Sequence, residues 1–146
     1  MRKAIPAILL IAVSLSLAGC EPTTPIPTPS PSAIIGSWHH GSATLTVNAD
    51  GSFEMKDVPL GVIEQAAVAQ GAAPKGPNES AQGTWLIGSG GTDVGGAPGV
   101  LLDFVTPNRV GPDYGMTLAV SGDVPPQLYV FLGHPDSNIR YSFTRK

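Results

Sequence analysis

The sequence predicts an all-β domain with one short helix, a small antiparallel meander β-barrel or half-barrel of about eight strands. Two observations carry that expectation. From residue 34 onward, apolar and polar residues alternate with period two in short runs separated by Gly, Pro, Asn and Asp. Only one stretch, 57–71, breaks the alternation with helical spacing.

The first run is 35–39, followed by 43–48, where Ala43, Leu45 and Val47 share one face and Thr44 and Thr46 the other. Asn48-Ala49-Asp50-Gly51 then turns the chain, with Gly51 suited to a positive φ. The turn leads into 52–56, with Phe53 and Met55 toward the core and Glu54 and Lys56 outward. Over 57–71, Leu60, Ile63 and Ala67 fall on one helical face, Pro59 is tolerable in a first turn and Gly71 is a natural terminator, which predicts the short helix. Residues 72–80 read as a loop whose Asn78-Glu79-Ser80 matches a glycosylation sequon.

Strands resume at 82–87, 100–106, 116–120 and 127–132. The last run, 139–144, places Ile139, Tyr141 and Phe143 on one face and Arg140, Ser142 and Thr144 on the other. Gly88-Ser89-Gly90-Gly91-Thr92-Asp93 has the glycines of a phosphate loop but no following lysine, and Asp93 stands where a dinucleotide fingerprint needs glycine. It reads as a flexible hairpin loop running to Gly99. Gly36-Ser37-Trp38 recurs as Gly83-Thr84-Trp85. Two copies do not make a repeat architecture, and the expectation is two equivalent strand starts, each with a glycine bend and a tryptophan plugging the core.

Ahead of this domain, Met1-Arg2-Lys3 forms a basic start, residues 4–17 are apolar, and Leu17-Ala18-Gly19-Cys20 holds the only cysteine. The apolar stretch is short of the roughly 20 residues a membrane span needs. This N-terminus resembles a bacterial lipoprotein signal. The resemblance implies a thioether from Cys20 to diacylglycerol, further acylation such as palmitate, and cleavage between Gly19 and Cys20. The domain organisation is then a signal peptide over 1–19, lipidated Cys20 with a Pro/Thr/Ser-rich linker over 20–33, and a β-barrel domain over 34–146. Prolines at 22, 25, 27, 29 and 31 exclude helix and central strand from the linker and favour an extended spacer. At about 3.1 Å per residue, it reaches up to about 40 Å.

Without Arg2 and Lys3 the chain carries 6 basic and 11 acidic residues, a formal charge of about −5. That balance argues against nucleic acid as a partner and against electrostatic grip on anionic lipid. Attachment falls to the acyl chains, at about 0.8 kcal/mol per buried methylene. With one cysteine there is no internal disulfide and no multi-cysteine zinc site, so the domain must be stable by packing alone.

The opening Ile34-Ile35-Gly36-Ser37-Trp38, followed by a strand and an Ala-Asp-Gly turn, resembles the lipocalin and avidin superfamily. Residues 34–146 are similar to small lipocalin-like lipoproteins of actinobacteria through Gly83-Thr84-Trp85, His134-Pro135-Asp136 and Arg140-Tyr141. The resemblance implies a barrel rather than an activity. It also implies that a late arginine, Arg140 or Arg145, covers Trp38 at the closed end. The domain lacks the extra tryptophans of an avidin biotin site.

No constellation predicts catalysis. His39 and His40 are adjacent, so in a strand they point to opposite faces, and His134 is distant in sequence. The carboxylates Glu54, Asp57, Glu64, Asp103, Asp123 and Asp136 show no paired spacing. Asp103 interrupts an apolar run. Pointing inward it would mark a ligand site; the expected orientation is outward, opposite Leu102 and Phe104. Asp136-Ser137-Asn138 lacks calcium-loop spacing and reads as a tight turn. The sequence therefore predicts no enzyme activity, no cofactor and no metal. The leading expectation is a lipid-anchored binding module on the extracytoplasmic face of the cell membrane, attached through diacylglyceryl-Cys20, for a small apolar ligand or a protein partner. The alternative is an envelope structural or interaction protein with a side-chain-filled barrel. Trp38, Phe53, Trp85, Phe104, Tyr141 and Phe143 supply enough inward bulk to favour filling.

Overall fold

In the computed structural model, which describes residues 27–89, 98–105 and 114–145, eight strands run in chain order around a closed antiparallel barrel. They are β1 (Gly36–His40), β2 (Ala43–Val47), β3 (Ser52–Pro59), β4 (Asn78–Ser89), β5 (Pro98–Val105), β6 (Tyr114–Val120), β7 (Gln127–Phe131) and β8 (Arg140–Arg145). Two single-turn helices, α1 (Pro31–Ile34) and α2 (Leu60–Ile63), and a 3-10 turn over Pro135–Ser137 complete the described structure. β8 pairs back onto β1 through Trp38 with Arg145 and His39 with Thr144, so the expected barrel is closed rather than a half-barrel.

The alternation read from the sequence sets the faces. Ala43, Leu45, Val47, Phe53, Met55, Tyr141 and Phe143 are buried, while Glu54, Lys56, Arg140 and Thr144 are exposed. Gly51 adopts φ +86°, and Asp50 Oδ1 accepts from the Ser52 amide at 2.9 Å and its hydroxyl at 2.6 Å, so the first predicted hairpin forms by side-chain capping of its turn.

Four expectations are corrected. The helix expected over 57–71 is one turn long. A bulge between Met55 and Val58, with Asp57 at φ +55°, carries β3 on to Pro59 and delays the helix. Gln65 at φ +51° then ends it: its amide donates to Val62 O at 3.0 Å and the Ala66 amide to Gly61 O at 2.8 Å, a Schellman arrangement. Second, β4 begins at Asn78, pairing Val58 with Glu79 and Pro59 with Asn78, so the sequon lies in a strand rather than a loop. Third, the proline-rich linker ends in a helical turn, because Pro31 stands at the start of α1, where a missing amide costs nothing. Fourth, Gly83 is in the middle of β4 and not at its start. A side chain there would collide with the backbone carbonyl of Asp103, so this glycine permits the close approach of β5. The Gly88–Gly99 hairpin is present as Ser89 paired with Pro98, and its residues 90–97 lie outside the described residues.

The meander puts α1, the 48–51 turn and the β6–β7 loop at one end of the barrel. The β1–β2 turn, α2 with its following loop, and the β7–β8 turn lie at the other. The core fills the space between.

Candidate functional site

An eight-stranded barrel is just wide enough to hold one small ligand or to be filled by its own side chains. Trp38, Leu45, Met55, Val58, Val100, Leu118, Leu128 and Phe143 are each 0% exposed. A void that admits a water-sized probe leaves accessible surface on the side chains lining it, and these have none. Aromatic rings take up much of the bulk: Phe53 meets Phe104 edge-on at 6.0 Å and Tyr141 meets Phe143 at 5.3 Å. Trp85 is partly buried against this core, with its indole N–H donated to Asn48 O at 2.8 Å.

Both ends of the interior are covered. At the α1 end, Ile34 is buried and the Trp38 indole donates to its carbonyl at 2.8 Å. Arg145 lies across that ring, 4.6 Å from its centre, so of the two arginines considered for this role it is Arg145 that fills it. At the α2 end, Val62 and Ile63 are buried with the core and Val68 packs against it. The Gly133 amide donates to Gln65 O at 3.0 Å and ties the segment beyond α2 to the β7–β8 turn. His40 stacks on Tyr141 there, with ring centres 3.9 Å apart and planes 32° apart. Its Nδ1 is 2.8 Å from Ser142 O. A carbonyl only accepts, so Nδ1 carries the hydrogen. Burial pushes the Tyr141 hydroxyl above its ordinary pKa of 10.0.

The remaining polar residues are not gathered. His39 and His40 point to opposite sides, as expected in a strand. His134 caps the 3-10 turn, accepting from the Asp136 amide at 3.3 Å, and Asn138 closes that turn at φ +52°. Asp103 is exposed on the outer face of β5, across from Thr84 on β4 and Gly115 on β6. It is on a different part of the barrel from His134 and faces outward, as its run predicted. Among the described residues, no three His, Cys, Asp or Glu side chains are placed to hold a metal ion. Cys20, the lipidation residue read from the sequence, lies outside the described residues.

Two surface features were not read from the sequence. Tyr129 and Phe131 alternate with inward Leu128 and Val130, so they face out, yet both are buried and meet edge-on at 5.4 Å. The Arg140 guanidinium lies 4.3 Å from the first ring and 5.2 Å from the second. The unbroken apolar run at 128–132 was the available signal, since one-sided burial would have required alternation.

The second feature is a trough on the outer face of β3 to β6. Three shallow cavities of about 130, 710 and 440 Å³ form it. The first two share Glu54 and Gln82, and the last two share Thr84. Gly115 forms part of the floor at the β6 side, and among the described residues a side chain added there would meet only Leu102 O, at 4.0 Å.

Compared with protein-family models, with curated proteins and with solved structures, the chain gives no match. The barrel's own geometry is therefore the basis for function.

Proposed function

We propose that this chain is a lipid-anchored extracytoplasmic interaction protein, without enzymatic activity, that engages a protein partner by its outer surface and carries no small ligand inside. One observation carries the choice between a protein partner and a small apolar ligand: the fully buried interior, with Trp38, Leu118, Leu128 and Phe143 all at 0% exposure. A filled barrel offers recognition only from outside.

The anchor rests on Met1-Arg2-Lys3, the apolar run and Leu17-Ala18-Gly19-Cys20. The outer strand faces support a tether over insertion of the barrel itself. Thr44, Thr46, Glu54, Lys56, Gln82 and Asp103 point outward, and a membrane barrel needs an apolar outer band with strands of about 9–11 residues. On this reading, diacylglyceryl-Cys20 holds the chain at the outer face of the cell membrane. The prolines of the linker space it from the lipid.

Intact-mass measurement of the full chain, recovered from membranes of a lipoprotein-processing bacterium and sprayed under native conditions, tests both parts. The expected mass begins at Cys20 and includes diacylglycerol, and Cys20→Ala shifts the protein to an unprocessed form. A further apolar adduct, lost on unfolding, would sink the filled-barrel reading. An unmodified cysteine would sink the anchor.

A further inference from the structure

We infer that the trough across β3 to β6 is a docking site for an extended, lysine-bearing peptide segment of a partner protein. This rests on the proposed reading that recognition is external, and it adds the place and the chemistry.

The trough is continuous, because the middle cavity shares Glu54 and Gln82 with one neighbour and Thr84 with the other. It crosses four strands, and three inter-strand steps of about 4.8 Å make it about 14 Å wide, the reach of four or five extended residues. Its floor is shallow because the outward side chains of Ser52, Thr84 and Thr117 are short and Gly115 has none.

Charge selects the occupant. Two carboxylates line the trough, Glu54 on β3 and Asp103 on β5. Lys56 sits 3.0 Å from Glu54, whereas Asp103 has no ion-pair partner among the described residues. Arg140 and Arg145 lie on β8, over aromatic rings away from this face. The ladder sets the spacing: Glu54 is level with Gln82, and Asp103 is level with Thr84 two residues further along β4. Two strand widths and one two-residue step separate the carboxylates by about 12 Å. In an extended peptide, side chains at i and i+4 are separated by about 13 Å on the same face. Lysines at i and i+4 therefore match the two carboxylates. A sugar is the poorer fit, because no aromatic side chain among the described residues faces outward from β3 to β5 as a stacking platform.

The test is an NMR titration of the isotope-labelled full chain with the capped heptapeptide Gly-Lys-Ser-Thr-Ser-Lys-Gly. A glutamate-for-lysine version and a version with adjacent lysines serve as controls. Amide shifts confined to Ser52, Glu54, Gln82, Thr84, Asp103, Gly115 and Thr117, fading as salt is raised, support the site. Asp103→Asn, an exposed isosteric change, is expected to raise the Kd about two- to fivefold, the range an exposed ion pair supports. Asp103→Lys, which sets a like charge against one of the two lysines, is expected to abolish the salt-sensitive shifts. Absence of shifts at millimolar peptide, shifts elsewhere, or equal binding of all three peptides would overturn the inference. The proposed anchor and filled interior are read separately by intact mass, so their failure is distinguishable from failure of this site.

Discussion

Arg145 and Trp38 hold three successive carbonyls at the junction between the linker and the barrel. Arg145 Nη2 donates to Ala33 O at 2.6 Å and to Ile35 O at 2.8 Å, and the Trp38 indole takes Ile34 O at 2.8 Å. These are the carbonyls that a single-turn helix leaves without intrahelical partners. The last strand thereby secures the segment that leads into the first, across the face of a fully buried indole.

Replacing Arg145 with alanine removes both hydrogen bonds and the ring contact. The guanidinium is exposed, which limits the loss to about 1–2 kcal/mol, and Arg145→Lys is expected to recover less than half because an ammonium lacks the planar fork. Urea unfolding followed by tryptophan fluorescence checks this. Unchanged stability in Arg145→Ala would mean that the contact is incidental.

Gly83→Ala is expected to be far more damaging, at above about 3 kcal/mol or with loss of soluble protein, because the new methyl meets the Asp103 backbone carbonyl, which cannot swing away. Among the described residues, Gly122 has nothing within 4 Å of an added methyl, and it sits in the exposed β6–β7 loop. Gly122→Ala is expected to change stability by less than about 0.5 kcal/mol. Thermal melts of the pair separate crowding at one site from any general cost of losing glycine.

The strand faces were legible because one-sided burial writes itself as alternation: Ala43, Leu45 and Val47 inside, Glu54 and Lys56 outside. The helix was misjudged because Leu60, Ile63 and Ala67 have helical spacing, whereas a bulge and two residues at positive φ, Asp57 and Gln65, set its actual limits. Neither residue announces such a conformation as a glycine would. Asp103 was placed outward by its neighbours Leu102 and Phe104. The trough around it was hidden, because it depends on Ser52, Thr84, Asp103 and Gly115 becoming neighbours through strand register. Alternation and turn length restrict the register of each hairpin, but which residues line up across four strands follows from all of the registers together.

If the interior is filled, removing a buried ring must create the space that the native barrel lacks. Phe143→Ala is expected to cost about 3–5 kcal/mol and Leu128→Ala about 2–5 kcal/mol, with the spread set by how far each site collapses. Xenon or benzene is expected to stabilise the variants and leave the parent chain's melting temperature unchanged. Stabilisation of the parent by either probe would show a pre-existing cavity.

Two groups of opposite sign contribute to the pH dependence of stability. Burial raises the Tyr141 hydroxyl above 10.0, so the folded state holds that proton more tightly than the unfolded state. Its contribution is intact below pH 10 and is lost as pH rises from there through the folded-state value. Asp50 is lowered below 3.8 by hydrogen bonds from the Ser52 side chain and backbone. The stability linked to it is present above that value and declines as pH falls through the lowered one. Tyr141→Phe is therefore expected to flatten the alkaline limb and leave the acid limb in place, while Asp50→Asn does the reverse. Urea midpoints measured from pH 2 to 11 distinguish these outcomes, and an alkaline limb that persists in Tyr141→Phe would assign it to another group.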